Sequence, residues 1–302
     1  MTKELTDVVI RDVTLRDGLQ DEAPIPTSAK LEIFEALVSA GVTELEVASF
    51  VRPDRVPAMA DAEAMCAATE GYDVVRWGLV LNEKGAERAL EAGLTHLQYV
   101  ISVSETHSQG NAGRSTDEAI EDLSKVCSLA GDRAQVELTL ATAFGCPHEG
   151  PIPLDRVVEL AAAGSVAGAG LINLADTIGT ALPREISAAV INVRLGTRAE
   201  FGVHLHDTRG MGIMNAVAAL EVGVAKIDGS VGALGGCPFA PGATGNLALE
   251  DLIHFFDATE VRTGVSVTGL ITAAEKACSA VGRPVGSRVG VAGPRFAKTQ
   301  DS

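Results

Sequence analysis

The chain has 302 residues and a formal net charge of −16, with 46% hydrophobic, 21% charged and only 4% aromatic residues. Such a surplus of negative charge argues against nucleic acid and anionic membrane surfaces as partners, because both repel an acidic protein. The negative charge does not exclude an anionic small molecule as a ligand, since a metal ion and a few arginines can reverse the electrostatic potential locally. The low aromatic content predicts a core built mostly from Val, Leu, Ile and Ala.

Short β-branched runs alternate along the chain with longer stretches rich in Ala, Leu and Glu. In chain order, we predict strands at 8–11, 44–48, 74–81, 95–103, 135–143, 171–175, 200–205 and 226–231. The matching helices are predicted at 28–40, 55–68, 83–92, 116–130, 154–167, 184–195, 211–222 and 247–258. Eight strand–helix units of about 30 residues each indicate a parallel sheet. Their number favours a closed (β/α)₈ TIM barrel of the α/β class, lined inside by branched aliphatic side chains.

The sequence predicts a single domain that consists of the barrel and a short extension. After about residue 262 we expect a short helical extension, with a helix at 268–281 and a polar tail. No linker or low-complexity tract is present, so one catalytic domain is expected over residues 1–302. No run of about 18 apolar residues occurs and the first residues lack an apolar leader, which predicts a cytoplasmic protein. The five cysteines form no C-x-x-C pair, so no disulfide framework is expected.

Reactive side chains follow the predicted strands at their carboxyl ends, where closed barrels of this class carry their active sites. They are Arg16 and Asp17 after the first strand, Glu46 in the second, Asp176 at the end of the sixth, His204 and His206 at the end of the seventh, and Cys237 and Asn246 after the eighth. We treat Arg16, Glu46, Asp176, His204 and Cys237 as candidate catalytic residues.

The segment around His204 and His206 predicts a metal site. Because the two residues are two positions apart in an extended chain, both imidazoles lie on one face. Asp17 adds an anionic oxygen and Asn246 a neutral one. Two nitrogens and two oxygens with open positions suit a six-coordinate ion such as Mg²⁺ or Mn²⁺, and Zn²⁺ or Co²⁺ also fit. Asp207 faces the other way and is expected to cap the following helix.

Arg16 lies beside the metal-binding carboxylate and has two interpretations. It could form a structural ion pair, or its fixed charge could stabilise an oxyanion during a reaction, with Glu46 orienting it. The loop 231–246 is rich in glycine and proline and could move as a lid. It lacks the Lys-Ser/Thr ending of a phosphate-binding P-loop. Cys237 within it could supply a proton to a carbanion.

Several motifs together give the chain a family resemblance. They are RDGLQ at 16–20, SFV at 49–51, NEKG at 82–85, GCPHEG at 145–150, DTIG at 176–179, HLHDT at 204–208, LGGCPF at 234–239 and GATGNL at 242–247. In this order the chain resembles the 3-hydroxy-3-methylglutaryl-CoA lyase family. That family is one of the pyruvate carboxyltransferase-like barrels, which also include isopropylmalate and homocitrate synthases.

The resemblance implies a metal-dependent retro-Claisen cleavage of 3-hydroxy-3-methylglutaryl-CoA to acetyl-CoA and acetoacetate, as in leucine degradation and ketone body metabolism. The metal would bind the substrate's hydroxyl and acyl oxygens, and His204 or the Asp17 region would act as the base. Arg16 would stabilise the enolate and Cys237 would help to protonate it. Asn82 and Lys84 resemble positions near the CoA tail. A homodimer is also expected.

The chain departs from the family pattern near the expected acyl pocket. Residues 230–238 read SVGALGGCP instead of SVAGLGGCP, Leu15 replaces a proline, Asp12 a glutamate and Asn173 a serine. These changes leave open a lyase acting on a different 3-hydroxyacyl-CoA. A condensing acyl-CoA synthase is a further alternative, although the chain lacks the Glu-Arg before Gly-Asn of those enzymes. A non-enzymatic metal or acyl-CoA sensor is the third.

Overall fold

Eight parallel strands close into a single barrel in the computed structural model, which describes residues 8–236 and 245–296. The strands are β1 Val9–Asp12, β2 Glu44–Ser49, β3 Val75–Val80, β4 His96–Ser102, β5 Gln135–Ala141, β6 Leu171–Asp176, β7 Glu200–Leu205 and β8 Lys226–Gly229. Neighbours in the chain are neighbours in the barrel, and β1 closes it by pairing with β8. The predicted TIM barrel is confirmed.

Eleven α-helices are found within the described residues. They are α1 Thr27–Ser39, α2 Ala62–Ala68, α3 Glu83–Glu91, α4 Glu105–Ala112, α5 Thr116–Ala130, α6 Leu154–Ala167, α7 Pro183–Gly196, α8 Gly212–Glu221, α9 Leu249–Ala258, α10 Val267–Ala280 and α11 Arg288–Ala292. The last two form the predicted helical extension, and α10 packs against α1. Within the described ranges, no helix is long and apolar enough to cross a membrane, and Cys66, Cys127, Cys146 and Cys278 are free thiols.

Two connections differ from the predicted elements. Helix α4 lies between the predicted strand at 95–103 and the predicted helix at 116–130, where the sequence analysis predicts no element, and Ser104 caps it by accepting a hydrogen bond from the backbone N–H of His107 at 3.1 Å. Its glycine and asparagine are weak helix formers, which hid it in the sequence. Helix α2 begins at Ala62 rather than at residue 55, because a 3₁₀ turn at Pro57–Met59 precedes it.

The interior of the barrel is polar, so the prediction of an aliphatic lining was wrong. Arg11 is fully buried and donates two hydrogen bonds to Glu137 and two to Asp228, at 2.7–2.9 Å. Gln98 donates to Glu137 at 3.1 Å, and Asn173 donates to Asp228 at 2.8 Å. A guanidinium and two carboxylates thus replace the expected methyl groups at the centre of the barrel.

The aliphatic side chains lie on the other face of the strands, against the helices. Leu138 of β5, for example, packs so closely on α6 that a side chain at Gly164 would begin 2.1 Å from its methyl carbon. In β5, Val136, Leu138 and Leu140 alternate with Glu137 and Thr139. The alternation is visible in the sequence, but composition does not tell which face turns inward.

The indole of Trp77 lies between the polar centre and the amino-terminal ends of the strands. The Arg11 guanidinium is 4.9 Å from the ring centroid and the Lys226 ammonium 4.4 Å. Its Nε1 donates to Glu44 at 2.8 Å, and Lys226 binds the same carboxylate oxygen at 2.7 Å. Cation–π contacts and an ion pair therefore close this end of the barrel.

Arg11→Met is expected to destabilise the protein by about 3–5 kcal/mol, because it leaves two buried carboxylates without their cation. Urea unfolding followed by circular dichroism measures the change. Arg52→Met is the control, since Arg52 forms its ion pair with Asp54 at the exposed surface, and its unfolding midpoint should not move. An Arg11 variant as stable as the unmodified protein would contradict the assigned role of the central network.

Candidate active site

Arg16 and Asp17 lie in a short π-helical turn, Thr14–Gly18, directly after β1. Asp12, the last residue of β1, shapes the turn by accepting hydrogen bonds from the backbone N–H and the hydroxyl of Thr14, at 2.9 and 2.8 Å. Both charged side chains are buried, each 6% exposed. The turn therefore holds two consecutive charged groups at the mouth of the barrel instead of leaving them in solvent.

The two histidines approach Asp17 from the end of β7, which β8 separates from β1 in the closed barrel. His204 lies near the end of β7 and His206 just beyond it, and both are buried. Their Nε2 atoms are 3.1 Å apart. The Oδ2 of Asp17 is 3.7 Å from Nε2 of His206 and 4.0 Å from Nε2 of His204. One ligand atom from each of the three residues thus lies within 4.8 Å of the others.

Asn246 joins this group from the loop after β8. Its Nδ2 donates to Oδ2 of Asp17 at 2.7 Å and to the carbonyl of Leu234 at 3.1 Å. Its Oδ1 is buried and has no hydrogen-bond partner among the described residues. A buried carbonyl oxygen without a donor is costly, so this oxygen is available to a cation.

These atoms fit a divalent metal ion. Two ligand atoms that bind one ion at about 2.1 Å and at right angles to each other are about 3.0 Å apart, which is close to the separation of the two imidazole Nε2 atoms. Together with one carboxylate and one orphaned amide oxygen, they form the nitrogen and oxygen set that such ions prefer. The structure brings all four predicted ligands together.

The charge of the connected buried side chains also fits a divalent cation. The positive members are Arg11 and Arg16, and the negative members are Asp17, Glu46, Glu137 and Asp228. Among the guanidinium and carboxylate groups alone, two positive and four negative charges leave a net charge of −2. Because an uncompensated buried charge is strongly unfavourable, an ion of charge +2 at the histidines would balance the set.

Arg16 is fixed by the neighbouring carboxylates. Its Nε donates to Glu46 at 2.7 Å and Nη1 donates to Asp17. Burial alone would raise the pKa of Asp17, but the charge of Arg16, together with the contact to His206, outweighs burial and holds that pKa well below its usual value. Asp17 therefore stays ionised, as a metal ligand must, and Glu46 occupies the position predicted for a residue that orients Arg16.

The other predicted site residues are spread around the barrel mouth. Asp176 accepts backbone hydrogen bonds from Thr180 and Ala181 at 2.9 and 3.0 Å, so both its oxygens shape its own loop. Asn82 and Lys84 are exposed beyond the end of β3, where the side chain of Asn82 caps α3 and Lys84 lies in the first turn of that helix. Cys237 lies outside the described residues.

Asp207 takes the role expected of it as a helix cap. Its Oδ1 accepts a hydrogen bond from the backbone N–H of Gly212, the first residue of α8, at 2.7 Å. Although it is adjacent to His206, its carboxylate is therefore directed to α8. The contrast with Asp17 separates a structural carboxylate from a candidate ligand.

Glycines bring the two ends of the loop after β8 together beside Asp17. Gly235 has φ +102°, and a Cβ there would lie 2.4 Å from Nδ2 of Asn246. Gly245 has φ +95°, and a Cβ there would lie 2.4 Å from the carbonyl oxygen of Ala233. A side chain at Gly235 would thus displace a predicted ligand, which explains why this segment requires glycine.

Sequence reasoning missed the layer of polar residues beneath the site. Asp228, Glu137 and Gln98 lie in predicted strands, and the sequence predicts no functional role for them. Asn173 was noted only as a departure from a family pattern. The available signal was a charged residue within a short apolar strand, since such a residue is rarely buried without a partner.

Fold and site together define a class: a (β/α)₈ barrel with a candidate divalent-metal site at the carboxyl ends of its strands. The HMGL-like family model matches residues 7–276, so the chain belongs to the HMGL-like family.

Named relatives and solved structures agree with this assignment. The chain is 38% identical to a (R)-citramalyl-CoA lyase of Chloroflexus aurantiacus, over 96% of each chain. It is 36% identical to a hydroxymethylglutaryl-CoA lyase of Bacillus subtilis, over 93% of this chain and 95% of the relative. An HMG-CoA lyase of Acinetobacter baumannii, solved with coenzyme A and 3-methylmalate, superposes with a TM-score of 0.94 at 33% identity over 100% of both chains. These relatives are carbon–carbon lyases, and the chain is an enzyme of that class.

Proposed function

We propose that the protein is a hydroxymethylglutaryl-CoA lyase that cleaves 3-hydroxy-3-methylglutaryl-CoA to acetyl-CoA and acetoacetate. The observation that carries the proposal is the group of Arg16, Asp17, His204 and His206 at one point of the barrel mouth, with 3.1 Å between the two imidazole nitrogens. This group places a fixed guanidinium directly beside a candidate metal position. Such a pairing suits a reaction in which negative charge develops on oxygen.

The metal would be held by Asp17, His204, His206 and Asn246. When bound, a divalent ion supplies Lewis acidity that lowers the pKa of a hydroxyl group. Mg²⁺ or Mn²⁺ suits the mixed nitrogen and oxygen donors, and Zn²⁺ or Co²⁺ also accepts them. The carboxylate is kept ionised by Arg16, so the site is prepared for a cation at neutral pH.

The remaining steps belong to side chains of the chain. A base in the Asp17 region takes the proton of the tertiary hydroxyl, since both imidazoles serve as metal ligands, and the bond between C2 and C3 of the acyl chain breaks. The electron pair moves to the acetyl-CoA fragment as an enolate, whose oxygen faces Arg16. Glu46 holds the guanidinium in place through the 2.7 Å hydrogen bond. Cys237 donates the proton that completes acetyl-CoA.

A second candidate substrate is citramalyl-CoA, which has one methylene fewer in its acyl chain. The 38% identical relative that bears this name supports it. Asn173, which departs from the family pattern, lies in the polar layer and donates to Asp228 and Glu137 at 2.8 and 3.2 Å. The named relatives are lyases, which favours a lyase over the condensing synthase and the sensor.

Parallel assays on the purified protein separate the two substrates. Cleavage of 3-hydroxy-3-methylglutaryl-CoA yields acetoacetate and cleavage of citramalyl-CoA yields pyruvate, and acetyl-CoA forms in both. Each assay is run with Mg²⁺, with Mn²⁺ and with chelator. We expect the larger kcat/KM for 3-hydroxy-3-methylglutaryl-CoA, and a larger value for citramalyl-CoA would replace the first candidate by the second.

We also propose the binding partners and the cellular setting of the protein. The acyl-CoA would enter at the carboxyl ends of the strands, with Asn82 and Lys84 near the CoA tail. The relative from Acinetobacter baumannii was solved with coenzyme A, which supports such a site. A homodimer in the cytoplasm, acting in leucine degradation, is the proposed physiological form.

Cys237→Ser is expected to lower kcat by about 10²–10⁴-fold, the usual contribution of a positioned proton donor. A hydroxyl is a far weaker acid than a thiol, so protonation of the enolate carbon would slow. Metal affinity should stay unchanged, because the thiol is not among the proposed ligands. Steady-state kinetics and Mn²⁺ titration provide the two measurements, with Cys278→Ser in the buried face of α10 as the control. An unchanged kcat would remove Cys237 from the mechanism.

A further inference from the structure

Asp228 connects the polar centre of the barrel to one of the two histidines. It is fully buried on β8. Arg11 donates to its Oδ1 at 2.9 Å and to its Oδ2 at 2.7 Å, and Asn173 donates to Oδ2 at 2.8 Å. The same Oδ2 lies 3.4 Å from Nδ1 of His204. The carboxylate is therefore held from one side by fixed donors and faces the imidazole on the other.

The charge on Asp228 determines which nitrogen of His204 carries the proton. Arg11 and Asn173 donate three hydrogen bonds to this carboxylate at 2.7–2.9 Å, which is the arrangement of an ionised acceptor. An ionised carboxylate has no proton to donate, so the arrangement favours a proton on the Nδ1 atom that lies 3.4 Å away. A neutral imidazole protonated at Nδ1 carries its lone pair on Nε2, which is the nitrogen that faces Asp17 and His206.

The two histidines differ in this respect. Neither Nδ1 atom has a hydrogen-bond partner of normal geometry among the described residues, but Oδ2 of Asp228 lies 3.4 Å from Nδ1 of His204, whereas the carboxylate contact of His206, with Asp17, is at Nε2. His204 alone therefore has a carboxylate behind it, which makes His206 an internal reference within the same site. A carboxylate behind a metal-binding histidine generally fixes the ring and its tautomer.

We propose that Asp228, held in place by Arg11 and Asn173, is the positioning residue for His204: it accepts the Nδ1–H and keeps Nε2 unprotonated and directed at the candidate metal position. This inference rests on the proposed metal-dependent function, but it concerns the protein before any substrate binds. Asp228 touches neither substrate nor reacting atoms in this scheme, so it acts only through His204.

The tautomer of His204 gives the first test. Long-range ¹H–¹⁵N NMR correlation on metal-free protein labelled in its six histidines distinguishes the two neutral forms, and His204→Gln identifies the signal. We expect the Nδ1–H form in the unmodified protein. Asp228→Asn presents an N–H in place of an acceptor, so the tautomer of His204 should reverse while the signal of His206 keeps its form. An Nε2–H form of His204 in the unmodified protein overturns the proposal without any variant.

Metal affinity gives the second test. Mn²⁺ binding, followed by electron paramagnetic resonance, should be about 10–100-fold weaker in Asp228→Asn. Glu137→Gln is the matched control, because Glu137 receives two hydrogen bonds from the same Arg11 without being an ion-pair partner of His204. It should change affinity by less than about 3-fold, below the effect of a carboxylate that supports a ligand. Equal losses in the two variants, or no loss in Asp228→Asn, overturn the proposal.

Both the NMR and the Mn²⁺-binding experiments are carried out without an acyl-CoA. An error in the proposed substrate would leave both results unchanged. If the unmodified protein bound no Mn²⁺, the metal-dependent function would fail, while the NMR result would still decide whether Asp228 sets the tautomer.

Discussion

Asp17→Ala is expected to abolish both Mn²⁺ binding and metal-dependent cleavage. Asp17 is the anionic member of the predicted ligand set and lies within 4.0 Å of both imidazoles. Its removal would also leave Arg16 facing the two histidines, so the site would repel a cation. Because a metal ion supplies several kcal/mol of transition-state stabilisation, kcat should fall by at least about 10³-fold.

The control for this variant is Asp207→Ala. Asp207 carries the same charge and is adjacent to His206 in the chain, but it caps α8. Its variant should bind Mn²⁺ as the unmodified protein does, although it should unfold more easily by about 1 kcal/mol through the lost cap. His206→Ala should behave like Asp17→Ala. Normal turnover in either ligand variant would refute the assigned metal site.

Arg16→Gln is expected to bind the metal ion normally but to catalyse the cleavage much more slowly. Removing one donor to a developing oxyanion costs about 10²–10³-fold in kcat, or about 2.7–4 kcal/mol. Glutamine preserves a polar side chain but neither the charge nor the forked geometry of the guanidinium. Steady-state kinetics with saturating Mn²⁺ gives the loss, and a variant with near-normal kcat would leave Arg16 as a structural ion-pair partner only.

The same variant should make metal binding more sensitive to acid. The charge of Arg16 is the largest influence that lowers the pKa of Asp17 against the effect of burial. Without it that pKa rises, so protons compete with Mn²⁺ at a higher pH than in the unmodified protein. Titration at several pH values tests this, with Arg76→Gln as the control, since Arg76 donates to the backbone carbonyl of Cys66. Identical pH profiles would contradict the proposed electrostatic link.

The fold was predictable from the sequence because each βα unit has its own local signal. Apolar strand runs, helical stretches and their spacing are all contained within about 30 residues. The same reasoning located the candidate site, since the carboxyl ends of all eight strands must meet at one face of a closed barrel. Asp17 and Asn246, 229 positions apart in the chain, are joined by a 2.7 Å hydrogen bond there.

The polar centre of the barrel could not be predicted in the same way. Arg11 and Asp228 are 217 positions apart, and nothing near either residue in the chain reveals the partner. An alternating strand has two faces, and only the assembled barrel shows that the face with Glu137 turns inward while Leu138 packs on α6. Helix α4 was missed for a local reason, because its cap at Ser104 precedes residues of low helix propensity.

The position of Arg11 affects how the polypeptide acquires its structure during translation. Arg11 is on the first strand, whereas its partners Glu137 and Asp228 are on the fifth and the eighth. At about 5–20 residues per second, a ribosome needs about 10–40 s to travel from Arg11 to Asp228. Until then the guanidinium has no buried acceptor on β8, and a fragment ending after β4 would contain neither carboxylate. The two halves of this barrel should therefore be unable to fold as independent units. The whole barrel should fold in one step, after β8 has been synthesised.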